Sequence, residues 1–300
     1  MIGEVQHIAS VNNLSGEGPL WSASDQSIYW VDITAKTFYR MDTSSGQPIK
    51  VEADFMIGVM RWCESGRLIM ATTRGFVLYD LKTDLFTFLD NPIAGNPLLR
   101  FNDGATDRQG RFWAGTMLID NSQDTKGAGS LYRLDPDGSL HEMEHDLIIP
   151  NGINWSPDQR TMYLTDSPRR VIYAYDFDLE SGNISNRRDF IRYPESSGFP
   201  DGLCLDSEGY IWGAEWGGWR VNRFDPAGNK VQEIRLPTQC VTCCTFGGSN
   251  LDELYITTAR EALTQQEYEQ QPWAGDLFRV KLDVKGRLEP KFNDTAFPKK

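Results

Sequence analysis

The sequence predicts an all-β protein, a six-bladed β-propeller with four antiparallel strands per blade. Three observations predict it: a hairpin pattern that recurs six times, a second strand pair of shared cadence after each hairpin, and a near absence of helical periodicity.

The hairpins are "GEGPLWSASDQSIYWVDI" from Gly16, "VMRWCESGRLIMATT" from Val59, "NDGATDRQGRFWAGT" from Asn102, "NGINWSPDQRTMYLTD" from Asn151, "DGLCLDSEGYIWGAE" from Asp201 and "TCCTFGGSNLDELYITT" from Thr242. Each sets a short apolar segment, a Gly, Asp or Ser turn, and an alternating strand rich in Ile, Tyr, Trp and Leu. The second pairs, such as "SLYRLDPDGSLHEM" and "RVNRFDPAGNKVQEIRL", place an aromatic and an Asp before another tight turn. Trp21, Trp30, Trp113, Trp155 and Trp212 recur at strand positions and are expected to pack between blades. "REALTQQEYEQQ" from Arg260 is the best helix candidate, an insertion in the last blade. A terminal strand is expected to complete a blade and close the ring, so that residues 1–300 form a single domain.

The 300 residues carry 42 Asp and Glu against 30 Lys and Arg, a net charge of -12. That balance disfavours nucleic acid and anionic membranes as partners. No apolar run reaches the about 18 residues of a membrane span, and "MIGEVQHIAS" lacks a signal-type apolar segment, so a cytoplasmic location is expected. Five cysteines, an odd number that includes Cys240, Cys243 and Cys244, read as reduced strand thiols rather than a zinc site.

In a propeller the innermost strands line the axis, and their first residues converge at one mouth of the channel. Taking the residue five places before each turn gives Glu17, Val59, Asn102, Asn151, Asp201 and Thr242. Four of these six are carboxylates or carboxamides where an apolar residue is expected. An all-oxygen set without His or Cys suits a hard divalent cation, calcium first by ligand type, with magnesium, manganese, iron(II) or zinc as further occupants. Arg100, two residues before Asn102, faces the same side of an extended strand, whereas Asp103 alternates away and reads as a turn acid. "EWGGWR" breaks the strand pattern, and one of Trp216 and Trp219 is expected to wall the pocket. No GxSxG, P-loop, HExxH or dinucleotide fingerprint is present.

The motifs "GEGPLW", "RFNDG" followed by "GRFWAGTM", "NGINWS", "SNRRDF", "PDGLCLDSEGYIW" and "CCTFGG" resemble those of the senescence-marker-protein (regucalcin), gluconolactonase and luciferin-regenerating-enzyme family. The resemblance implies one divalent metal held by Glu17, Asn151 and Asp201. It moves Asn102 from the metal to the substrate, beside Arg100 and Asp120. Asp120 stands where vertebrate relatives have a glutamate, one methylene longer, and "GEGPLW" is similar to the form of bacterial sugar-catabolic members. The expected activity is hydrolysis of a sugar lactone such as gluconolactone, xylonolactone or arabinonolactone, with Asp201 as the catalytic base and no obligate protein partner. A phosphotriesterase-like metal hydrolase and a non-catalytic calcium-binding regulatory propeller are the alternatives.

Overall fold

A computed structural model describes residues 2–120 and 126–297. The described strands form six four-stranded antiparallel sheets, each a blade. The first blade runs outward from the axis as Gly16–Ser22, Ser27–Asp32, Thr37–Asp42 and Pro48–Glu52. The innermost strands of the other five are Ile57–Trp62, Leu99–Thr106, Pro150–Trp155, Phe199–Leu205 and Val241–Gly247. The ring is closed by the N-terminal strand Gln6–Ala9, which pairs with Leu277–Lys281 as the outer strand of the sixth blade. The insertion in that blade contains one short helix, Gln265–Gln270, with a capping box between Thr264 and Glu267.

Burial of both faces of each sheet explains the strand composition. The apolar core divides into six clusters, one per blade interface; Leu20, Val31 and Phe38 of the first blade, for example, pack on Ile57, Met60 and Met70 of the second. Trp30, Trp113 and Trp212 are completely buried. The five cysteines are free thiols and buried, and burial raises the pKa of Cys63, Cys204, Cys240 and Cys243.

The turn after an inner strand is fixed by its first residue. Asp206 accepts hydrogen bonds from the amides of Glu208 and Tyr210 at 3.0 and 2.9 Å, from Trp212 Nε1 at 3.1 Å, and from Arg223 at 2.6 Å. Asp107 binds Gln109, Arg111 and Trp113 in the same way in the third blade. Gly209 and Gly110 complete these turns at φ of +86° and +76°.

These turns correct one register expectation. In the second blade it is Cys63, not Glu64, whose amide bonds the far side of the turn (Arg67 O) and whose carbonyl receives Gly66 N. The residue equivalent to Asp201 is therefore Gly58, and Val59 packs in the core. A Cβ at Gly58 would lie 2.4 Å from Asn102 O, so close blade approach leaves no room for a side chain there.

Every inner strand slips register at the same level: between Glu17 and Leu20, Ile57 and Val59, Phe101 and Gly104, Asn151 and Ile153, Pro200 and Leu203, and Val241 and Cys243. A bulge re-aims a side chain that would otherwise follow the pleat. The six bulges lie where the axis opens into a cavity. The opposite mouth is crossed by residues 284–297, which form bridges between Gly286 and Asp206 and between Phe292 and Cys63. Asp294 anchors this strap through Arg67 at 2.6 Å and Ser65 at 2.5 Å.

Asp206→Ala removes the buried anion from its ion pair with the partly buried Arg223 and orphans a Trp donor. We expect it to lower unfolding free energy by about 3–5 kcal/mol, read as a lower melting temperature; an unchanged melting temperature would refute this role of the turn.

Candidate metal and substrate site

Three blades share a device that positions their first inner-strand residue. At the end of the second strand of the first blade, Asp32 accepts from Leu14 N and Ser15 N at 2.8 and 3.0 Å, two to three residues before Glu17. Asp166 does the same for Ile148 N and Ile149 N, both at 3.2 Å, ahead of Asn151. Glu215 takes Gly198 N at 2.8 Å ahead of Asp201 and is itself gripped by Arg220 and Asn222. Burial opposes ionisation of Glu215, but Arg220, Asn222 and Gly198 outweigh it and hold its carboxyl below the ordinary value. These acids fix the backbone entering each bulge, and the bulge then turns Glu17, Asn151 or Asp201 toward the axis.

The structure brings Glu17, Arg100, Asn102, Asn151 and Asp201 together in the lining of one cavity of about 650 Å³. Asn102 Nδ2 donates to Asn151 Oδ1 and to Pro150 O, each at 3.1 Å, while its Oδ1 accepts from Arg100 at 2.7 Å. Asn151 Nδ2 donates to Ser167 Oγ at 3.0 Å, which leaves its Oδ1 aimed away from that contact. Glu17 Oε2 accepts from Gly18 N at 2.9 Å. Thr242 takes no part: its hydroxyl bonds Gly16 O and Thr257.

Two buried carboxylates dominate the electrostatics of this floor. Glu17 and Asp201 are 8% and 6% exposed, and among the described residues Asp201 Oδ1 has no hydrogen-bond partner. Burial, and after it the Asp103 carboxylate, pushes Glu17 up to about 8. Burial and the Glu17 carboxylate raise Asp201 well above the usual carboxylate range. Two desolvated carboxylates and a carboxamide oxygen form an all-oxygen donor set that a hard dication fits. Among the described residues no group of three or more His, Cys, Asp or Glu is placed to hold a metal, so the carboxamide is integral to this set.

Comparison with known proteins shows the family. The model of the SMP-30/gluconolactonase/LRE-like region matches residues 15–260. The chain belongs to this family. It is 38% identical over 280 residues to the 6-deoxy-6-sulfogluconolactonase of Pseudomonas putida, covering 92% of this chain and 94% of that one. It is 35% identical over 285 residues to regucalcin of Danio rerio, covering 94% and 96%. Among solved structures, a calcium-binding protein, regucalcin, from Agrobacterium tumefaciens superposes with a TM-score of 0.92 at 29% identity, with 97% of each chain covered.

Within this family member, three features of the site lie outside the repeat register. Asp103, expected as a turn acid, lies within the inner strand: it is 5% exposed, lies 3.7 Å from Arg61 and adds to the field on Glu17 and Asp201. Its neighbours Arg100 and Asn102 line the cavity and Asp103 does not, as alternation along the strand expects. Ile33, Ile119, Ser167, Trp216 and Glu261 reach the cavity from the ends of the second strands of five blades or the residues that follow them. Of these the sequence flagged Trp216 through its glycine pair; the shared position after the second strand is the signal that could have found the rest. Glu261 faces Arg100: burial lowers the guanidinium's pKa, and Glu261, Glu17 and Asp201 oppose that. Asp120 is exposed directly after Ile119 and is not part of the cavity lining.

A raised Glu17 means that the metal-free fold binds a proton between about pH 4.5 and 8 that the unfolded chain does not. This group's contribution to stability is complete below 4.5 and is lost as pH rises through 8, while a dication must displace the proton. Added calcium is therefore expected to raise the melting temperature more at pH 8 than at pH 6; equal shifts would contradict the assignment. Glu215→Gln, which touches no ligand, is expected to weaken calcium binding by about 10 to 100-fold, measured by calorimetry against an unchanged far-UV spectrum.

Proposed function

We propose that this chain hydrolyses a sugar lactone to the open-chain aldonic acid, with a divalent metal at the base of the cavity. The observation that carries the reading is the convergence of Glu17, Asn151 and Asp201 with the Arg100 and Asn102 pair in one polar-floored cavity. Membership of a family with lactonases among its relatives supports it, as does a cavity size within the about 300–1,000 Å³ of small-molecule sites.

Glu17, Asn151 and Asp201 would hold the metal, which when bound supplies a Lewis acid for the lactone carbonyl and stabilises the charge that develops on its oxygen. Asn102 suits the substrate rather than the metal, because its oxygen already accepts the Arg100 guanidinium and a cation there would be repelled. Arg100, fixed through Asn102 Oδ1 and Phe101 O by one nitrogen, keeps its remaining N–H groups for ring hydroxyls. Asp120 would act as an outer hydroxyl contact at the cavity edge. Asp201, with one oxygen free of partners, takes a proton from the attacking water as the new C–O bond forms. It returns that proton to the ring oxygen as the ring C–O bond breaks, and the acid is released.

The polar floor favours a polyol over the bulky apolar ester of a phosphotriesterase. The likeness to a calcium-binding regucalcin favours a second reading, a metal-binding propeller without turnover. A pH-indicator assay across gluconolactone, xylonolactone and arabinonolactone separates the two. Acid release that EDTA stops and one metal restores is expected, with Asp201→Asn lowering kcat by about 10²–10⁴-fold. A fully active Asp201→Asn would overturn the mechanism, and calcium binding with silence across the panel would establish the second reading.

A further inference from the structure

Among the described residues, four ionisable side chains line the large cavity: the carboxylates of Glu17, Asp201 and Glu261 and the guanidinium of Arg100. Glu261 stands apart from the floor. It lies in the insertion of the sixth blade, where its own amide and that of Arg260 donate to Leu14 O, each at 3.0 Å, and Arg260 Nε donates to Asn12 O at 2.9 Å. Its exposed side chain is held at one oxygen only: Thr34 Oγ1 donates to Oε2 at 2.6 Å, while Oε1 accepts no hydrogen bond from the described residues. Burial disfavours the Arg100 guanidinium, and of the charges that offset this Glu261 is the largest, ahead of Glu17 and Asp201. Beyond these four and the amides Asn102 and Asn151, the lining is apolar apart from Ser15 and Ser167, with Ile119, Phe199 and Trp216 among its larger groups.

This charge balance sorts ligands. Even a dication that cancelled Glu17 and Asp201 would leave no surplus of positive charge, because Glu261 offsets Arg100. A sulfonate, phosphate or carboxylate in the cavity would lie near a fixed carboxylate with no second cation to pair with it. A sugar hydroxyl, in contrast, can donate to Glu261 Oε1 while a neighbouring oxygen accepts from Arg100. We propose that Glu261 is a specificity-determining residue of this cavity, accepting a hydroxyl of a neutral sugar ring and excluding rings that carry an anionic substituent. This role rests on the reading of the cavity as a sugar-ring site and adds the charge of the substrate to it.

Binding and turnover test it separately. The full chain with calcium would be melted at constant ionic strength in increasing glucose and in increasing glucuronate, rings without a lactone to hydrolyse that differ at C6 by a carboxylate. We expect a saturable rise with glucose, little or none with glucuronate, and in Glu261→Gln a preference narrowed by about 10-fold in apparent affinity. In turnover, Glu261→Gln is expected to raise KM for gluconolactone more than it lowers kcat, and to narrow the kcat/KM preference over glucarolactone by about 10-fold, with Glu261→Asp restoring part of both. Equal shifts with the two rings in the parent, or a preference that Glu261→Gln leaves unchanged, overturns the role of Glu261. Silence of the parent toward every lactone, with the glucose preference present and narrowed in Glu261→Gln, would overturn the turnover reading alone and leave the charge selection standing.

Discussion

The structure depends on holding two carboxylates, Glu17 and Asp201, out of water with no cationic side chain of the described residues in hydrogen-bonding contact. Like charges in a desolvated floor are costly, and the raised Glu17 and Asp201 show that the metal-free fold meets part of this by retaining protons. The arrangement persists because the surrounding blades over-determine it. A closed ring leaves no sheet edge to relax, and six apolar interfaces hold the inner strands at fixed spacing.

The positions of the oxygens follow from backbone hydrogen bonds made one strand away. Asp32, Asp166 and Glu215 sit at corresponding strand ends and clamp the segments entering the bulges of Glu17, Asn151 and Asp201. The second blade has Gly58 at this level and the sixth has an internally satisfied Thr242. The ring is thus near-symmetric in backbone and asymmetric in chemistry, with donors from three blades and Arg100 and Asn102 from a fourth. The two mouths differ as sharply: one is an open polar cavity, while the other is covered by the strap, whose buried Asp294 pairs with Arg67.

Much of this was legible in the sequence. The blade count, the strand order and the inter-blade tryptophans follow from hydrophobic alternation and turn residues, which are local properties. Glu17, Asn102, Asn151 and Asp201 were legible because repeat symmetry turns equal sequence position into spatial proximity. The same logic failed by one residue at the second blade, where "WCESG" begins its turn at Cys63 rather than Glu64, a difference set by hydrogen bonding and not by composition.

The sequence by itself determined an all-β ring of six repeats, its family motifs and the oxygen-rich positions at the starts of the inner strands. Only the tertiary structure decided that Asp103 is buried beside Arg61, a residue of another blade. It also placed Glu261 and Ser167 in the cavity and left Asp120 outside its lining. Ser167 and Glu261 follow their second strands at different distances, so the repeat marks the segment but not the residue. Their positions are set by closure of the ring, which brings together segments that share no local pattern.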